Sequence, residues 1–215
     1  MKHPAHVIHY RIQHLAGRED ALARILPLLP ADAEVITDHP DDGRLRPMRG
    51  YLKCLENPPA GVSHLCVIQD DALPCREAAS RIGEAVDERP TDMVSLFVGG
   101  LPGRTRKEFW QAQIKGEKWA PIYFREIHHV VALVWPIEDV KSFLEWYATA
   151  KIPVPVPHSS DDAVVGYWAR THKRLFWATV PCLVEHPDDL PSVVQGNRKL
   201  GDKGRRAIHF IDDVQ

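Results

Sequence analysis

Adjacent acidic residues occur at two places where they can do chemistry. Gln69-Asp70-Asp71 ends the apolar run Val62 to Ile68 (VSHLCVI), and Asp161-Asp162 follows Ser159-Ser160 and precedes Ala163-Val164-Val165. Paired carboxylates at the end of a buried strand suit a hard divalent cation, which neutralises the oxygens of a bound phosphate. A carboxylate at the start of a helix suits another task, taking a proton from a reacting hydroxyl. Each pair also has a plain reading, because Asp and Ser are favoured at helix starts, where they cap free backbone N–H groups. Glu185-His186, after the apolar stretch Leu175 to Val180 and Pro181, adds a nitrogen donor. His128-His129 makes a poorer ligand pair, since neighbours on a strand point to opposite faces.

Basic residues complete the inventory. Arg11, Arg18 and Arg49 carry guanidinium forks that match phosphate oxygens two at a time, with solvated positions at element ends as the alternative. Arg18 stands where a helix opens, a place unfavourable to a cation, which favours a functional role. Arg104, Arg106, Lys107, Lys115 and Lys118 outweigh Glu108 and Glu117, and a second cluster runs from Arg198 to Arg206, in a chain whose formal net charge is -2. Solvated loops explain such clusters, and so does a polyanion held through its phosphates, with Phe109, Trp110 and Trp119 available to stack on a base.

The elements needed to position these groups are visible in the pattern of apolar residues. His6 to Ile12 reads as a strand, Arg18 to Leu29 as a helix striped by Leu22, Ile25, Leu26 and Leu29, and Glu34 to Thr37 as a strand running into Asp38. Pro47 opens a helix striped by Met48, Tyr51, Leu52 and Leu55; Val62 to Ile68 is a short apolar strand, followed by a helix Pro74 to Val86 and a strand Met93 to Val98. Strands alternating with helices predict an α/β fold around a mostly parallel sheet, whose ligands bind at the carboxyl ends of the strands. Asp38 and Asp70-Asp71 then share that edge. The second half is less regular, with strands at Ile122 to Glu126, Val130 to Trp135 and Leu175 to Val180, a helix striped by Val140, Phe143, Leu144 and Tyr147, an extended connector through Pro153, Pro155 and Pro157, and a helix burying Val165, Trp168 and Ala169. Mixed strand order is expected there.

A chain of 215 residues with 44% hydrophobic and 26% charged content suits one globular domain, expected over residues 1–190 with its two halves meeting at about residues 98 and 99, and a basic tail over 191–215. The four cysteines have no metal-site spacing and read as core residues. No apolar run approaches the roughly 18 residues that cross a bilayer, so the expectation is a cytoplasmic protein. No G-x-x-x-x-G-K-[ST] loop is present, which counts against a phosphotransferase built on that cradle.

From Val7 to Asp71 the order of strand, helix, strand ending in Asp38, arginine-bearing helix (RPMRG) and strand ending in an acidic run resembles the donor half of A-type-fold nucleotide-sugar glycosyltransferases. HSSDDAVVGYW and VPCLVEH extend the resemblance. It implies a central mixed, mostly parallel sheet flanked by helices, a uridine or related nucleoside-diphosphate sugar as donor, and manganese or magnesium as cofactor. Asp38 would read the nucleotide, Arg11, Arg18 and Arg49 would meet the diphosphate, and Asp71 and His186 would bind the metal. Gln69 departs from the family's D-x-D pattern, which leaves Asp70 to contact the ribose or hold the turn. In inverting members an acidic residue at a helix start is the base; Asp162 takes that role here, with Asp161 as its neighbour or a second acceptor contact. Phage-type transferases that glycosylate hydroxymethylated pyrimidines are similar in kind, so modified DNA is a candidate acceptor, met by Arg104, Arg106, Lys107 and Trp110. A glycan or lipid-linked acceptor, or a non-catalytic binding module for nucleotide sugars or nucleic acid, is the alternative.

Overall fold

A computed structural model describes residues 6–39, 47–99, 103–123, 130–153, 160–187 and 206–214. His128-His129, Ser159 and the basic cluster from Arg198 to Arg205 lie outside them. The first half contains β1 (Ile8–Leu15), α1 (Glu19–Ile25), β2 (Glu34–Asp38), α2 (Pro47–Leu55), β3 (His64–Gln69), β4 (Leu73–Pro74), α3 (Ala78–Glu88) and β5 (Met93–Ser95). The second contains α4 (Arg104–Lys115), β6 (Trp119–Ile122), β7 (Ala132–Pro136), α5 (Ile137–Thr149), α6 (Asp161–Thr171), β8 (Phe176–Thr179) and β9 (Val184–Glu185).

Seven strands form one sheet in the order β2-β1-β3-β7-β5-β8-β6, and β4 pairs with β9 apart from it. β1 runs parallel to both β2 and β3, and β5 parallel to β8, whereas β7 lies antiparallel between β3 and β5 and β6 antiparallel to β8. Five strands therefore point one way and two the other. The antiparallel β7 separates the two parallel groups, which the alternation of the first hundred residues did not predict.

Helices cover both faces, which is why Leu65 to Ile68 of β3 can all be apolar. Cys66 and Ile68 pack with Ile25 of α1 and Ile82 and Val86 of α3, while Leu65 and Val67 pack with Tyr51 and Leu55 of α2, Phe143 of α5 and Trp168 of α6. A smaller cluster joins Phe109 and Ala112 of α4 to Ala120 of β6 and Ala178 of β8. The four cysteines are free and buried.

Several boundaries differ from the sequence expectation for local reasons. The helix expected to reach Leu29 passes at Leu26 into a 3-10 turn, Leu26–Leu28, containing Pro27, which has no N–H to donate. Pro74 does not open α3 but pairs with Val184, so that β9 is held beside the end of β3. The strand expected to begin at Ile122 ends there instead, having started at Trp119. Residues 206–214, expected in a tail, include Phe210, which is buried in the main core, and Ile208, whose N–H donates to the Val98 carbonyl at 2.9 Å.

Candidate functional site

The end of β3 is placed by its register with β1: Ile12 pairs with Ile68 and Gln13 with Gln69, so the residues that follow both strands emerge at one sheet edge. The Asp70 N–H donates to the Gln13 carbonyl at 3.0 Å, and Ala72 N–H to the Gln69 carbonyl at 3.1 Å, turning the chain sharply. That turn buries both aspartates.

Asp70 is fully engaged. Its Oδ2 accepts from the Leu15 N–H and from Nδ1 of His14, each at 2.9 Å, and its Oδ1 accepts from Nη1 of Arg18 at 2.7 Å. Burial raises its pKa, and Arg18 and the Leu15 N–H offset only part of that rise. Asp71 is different. Its Oδ2 lies 3.2 Å from Nη2 of Arg18 and 3.3 Å from Nε2 of His186. Burial would raise its pKa too, but the hydrogen bond and charge of His186, with Arg18, hold the carboxyl well below the ordinary carboxylate range. One guanidinium thus spans two neighbouring carboxylates.

His186 arrives from the other half of the chain. The β4–β9 pairing sets Glu185 opposite Leu73, and buried Glu185 accepts from the Ala207 N–H at 2.7 Å and from Nη2 of Arg206 at 3.1 Å. The Oε1 of Glu185 that takes the Ala207 N–H also receives the His186 N–H at 2.7 Å, and the His186 ring lies 6.0 Å from that of Phe97.

α6 delivers the second acidic pair. Ser160 caps it, its Oγ accepting from the Ala163 N–H at 3.3 Å, so the capping expected of the serine is real and leaves the aspartates to other partners. Asp161 is buried; Oδ2 accepts from Nε2 of Gln69 at 3.1 Å and Oδ1 from the Asp162 N–H at 3.0 Å. Burial raises its pKa, and the charges of Asp162 and Asp71 add to the rise. Asp162 is more exposed, and its Oδ1 accepts from the Val130 N–H, which ties the start of α6 to the segment before β7.

Of the residues expected at the site, Arg18, Asp70, Asp71, Asp161, Asp162 and His186 are brought together. Asp38 sits at the same edge, two strands away, where it accepts from Nζ of Lys53 at 2.8 Å and from Arg49 at 3.1 and 3.2 Å. Burial works against those cations, yet they lower its pKa. Arg11 is not joined to the cluster. Its guanidinium donates to Glu34 and to the carbonyls of Cys54, Glu56 and Asn57, clasping the end of α2 against β1. The basic first turn of α4 is also elsewhere. The Tyr123 N–H donates to Oγ1 of Thr105 at 3.2 Å and the Arg104 guanidinium lies 4.0 Å from the Tyr123 ring, while the preceding Ile122 pairs with Phe176, the first residue of β8. Arg104 therefore stands toward the edge opposite the acidic cluster; Trp110 is partly exposed on the same helix.

Sequence reasoning missed His14, Lys53 and Gln69 as partners. A signal existed only for Gln69, as the residue standing in place of an expected aspartate.

Asp71 and His186 converge as an oxygen and a nitrogen donor of the kind a divalent cation accepts, but among the described residues no group of three or more His, Cys, Asp or Glu forms a metal cage. The arrangement fits a cation whose remaining ligands come from phosphate and water, not one enclosed by protein. No family profile matches this chain, and no curated protein matches it. Among solved structures, the crystal structure of A197 from STIV is similar over 80% of this chain and 81% of that one, at 14% identity and a TM-score of 0.46. The apo form of mouse xyloside xylosyltransferase 1 is similar over 81% and 73%, at 14% identity and a TM-score of 0.35. Likeness at that level carries no argument about chemistry, which rests on the residues themselves.

Proposed function

We propose that this chain is a glycosyltransferase that moves a sugar from a nucleoside diphosphate, with uridine as the first candidate, to an acceptor hydroxyl. The observation that carries the reading is the meeting of Asp71, His186 and Arg18 at the sheet edge with Asp161 nearby. A group that departs as a diphosphate needs positive charge beside it, and an attacking hydroxyl needs a proton acceptor. The order of elements from Val7 to Asp71, which resembles a donor-binding half, selects sugar transfer over other phosphate chemistry.

In this reading Arg18 exchanges one of its carboxylate contacts for the diphosphate. Asp71 and His186 would hold manganese or magnesium, which when bound supplies further positive charge to the departing oxygens. Asp70 fixes Arg18 and the turn. Asp38, with Arg49 and Lys53, lies where the nucleoside would rest. The α6 pair supplies the base, and Asp161 suits that role better than Asp162, because burial and the neighbouring acids raise its proton affinity while its Oδ2 is held only by the neutral Gln69 amide, whereas Oδ1 of Asp162 ties α6 to Val130. Displacement proceeds with inversion.

The acceptor is a hydroxymethylated pyrimidine in DNA, with a glycan or lipid-linked sugar as the alternative. The excess of cations over acids on α4 supports a polyanion. Arg104, Arg106, Lys107 and Trp110 would then contact DNA away from the reacting base, as the acidic cluster lies at the other edge.

A thermal-shift panel of nucleotide sugars with and without manganese tests the donor: a stabilising sugar nucleotide that needs the metal is expected. Radiolabelled sugar should then enter hydroxymethylated but not plain duplex, with affinity falling steeply as salt rises. No stabilisation by any sugar nucleotide would remove the reading, and label in glycan alone would move it to the alternative acceptor. A binding module would keep its full activity in Asp161→Asn and Asp162→Ala, whereas the transferase loses turnover and keeps donor affinity.

A further inference from the structure

The buried carboxylates differ in what holds them. Asp38 meets Arg49 and Lys53, Asp70 meets Arg18, Asp71 meets Arg18 and His186, Asp139 meets Arg174, and Glu185 meets Arg206. Asp161 alone among the buried acids of the described residues has no cationic partner; its two oxygens accept from the Gln69 amide and a backbone N–H. A carboxylate fixed by neutral donors keeps more of its basicity than one fixed by a guanidinium, because no full positive charge favours its ionised form.

The Gln69 amide is itself oriented. Gln13 Nε2 donates to the Pro47 carbonyl at 3.0 Å, which turns Gln13 Oε1 toward Gln69 Nε2 at 3.5 Å. A side chain at position 50 would crowd this arrangement, since a Cβ built on Gly50 would lie 3.1 Å from Gln13 Nε2. One hydrogen of the Gln69 amide nitrogen thus faces Gln13 and the other Asp161. A carboxylate at position 69 would place a second negative charge against Asp161, and a cation would make it a weaker base.

We propose that Gln69 is the positioning residue of Asp161, its neutral amide fixing one carboxylate oxygen of the base without the charge that an acid or a cation would bring. This rests on Asp161 as proton acceptor, and it gives the departure from D-x-D a purpose. The titratable groups around Asp161 are Asp162 on α6, Asp71 beyond β3 and Tyr51 on α2, whose hydroxyl accepts from Nε1 of Trp135 at 2.8 Å.

The test compares Gln69→Met, which keeps length and removes the donor, with Gln69→Glu, which keeps shape and adds charge. A donor hydrogen bond favours the ionised carboxylate, so its removal moves the acid limb of kcat to higher pH, and Gln69→Glu moves it further. At pH 7 kcat falls at least tenfold in both variants, recovers as pH rises, and Kd for the donor stays within twofold. Carbon-13 NMR of aspartate-labelled protein, with the Asp161 carboxyl assigned through Asp161→Asn, reads the same order of midpoints without turnover. An unmoved Asp161 midpoint, or a loss of donor affinity at unchanged kcat, overturns the proposal. If no nucleotide sugar is turned over by the parent protein, the functional reading fails, while the NMR titration still decides whether Gln69 governs Asp161.

Discussion

Nε2 of His186 lies 3.3 Å from Oδ2 of Asp71, so a residue just past β9 meets one just past β3 although most of the chain separates them. The contact joins the two halves at the point to which the proposed function assigns the phosphates. It also sets a pH dependence. Because the folded-state pKa of Asp71 is depressed, its contribution to stability is complete above the unfolded value, near 3.9, and is lost progressively as pH falls from there through the depressed folded-state value. Asp71→Asn should cost on the order of 2 kcal/mol at pH 7 and less at pH 3, where the unfolded chain already binds the proton that the folded carboxylate still refuses. Urea unfolding at both pH values checks this, and an equal cost at both would show that charge is not the cause. Under the proposed function, Asp71→Asn and His186→Ala should each lose turnover.

Asp161 gives the opposite sign. Its folded-state pKa is raised, so the native state holds the proton more tightly than the unfolded chain, and stability declines as pH rises above the unfolded value. Asp161→Asn should therefore stabilise the protein at pH 7, by on the order of 1 kcal/mol or more, with no gain at pH 3. Transfer should be lost while donor binding remains. Thermal unfolding across pH and a single-turnover assay measure the two effects separately.

Arg18→Ala leaves Asp70 and Asp71 buried beside each other without the guanidinium that spans them. Breaking a buried pair in this way costs about 3 to 5 kcal/mol. Arg18→Lys should recover part of the stability but not the span, since an ammonium cannot fork between two carboxylates. Calorimetry should find donor affinity reduced at least tenfold in the lysine variant, and unchanged affinity would assign Arg18 to the fold alone.

Arg11→Met makes the contrasting case. It removes the donors to Glu34 and to three carbonyls at the end of α2, and should cost about 1 to 3 kcal/mol by leaving the buried Cys54 carbonyl unmet, the other acceptors being within reach of water. Donor Kd of the folded fraction should not move. A weakened donor site at unchanged stability would return Arg11 to the diphosphate.

The acidic cluster was legible because its members stand where a buried strand or a helix begins or stops, and such boundaries show in a pattern of apolar residues. β3 and α6 were legible for that reason. Arg11, expected at a phosphate, instead meets Glu34 and three backbone carbonyls, and bonds to carbonyls leave no mark in a side-chain pattern. The insertion of β7 between β3 and β5 was likewise invisible: an apolar strand has the same composition whichever way it runs. Neighbouring cations on α4 formed a group along the chain, yet only the pairing of Ile122 with Phe176 reveals the edge to which the helix start belongs.

The return of residues 206–214 has a practical consequence for anyone shortening the protein. Glu185 lies against His186, and its two oxygens are met by the Ala207 N–H and by Arg206, while the Arg76 N–H donates to Asp212 at 3.0 Å. A chain cut after residue 187 would keep every residue of the acidic cluster in its sequence. It would nevertheless strand a buried carboxylate next to the histidine and loosen the start of α3, so the cut protein is expected to contain the whole site and fail to assemble it.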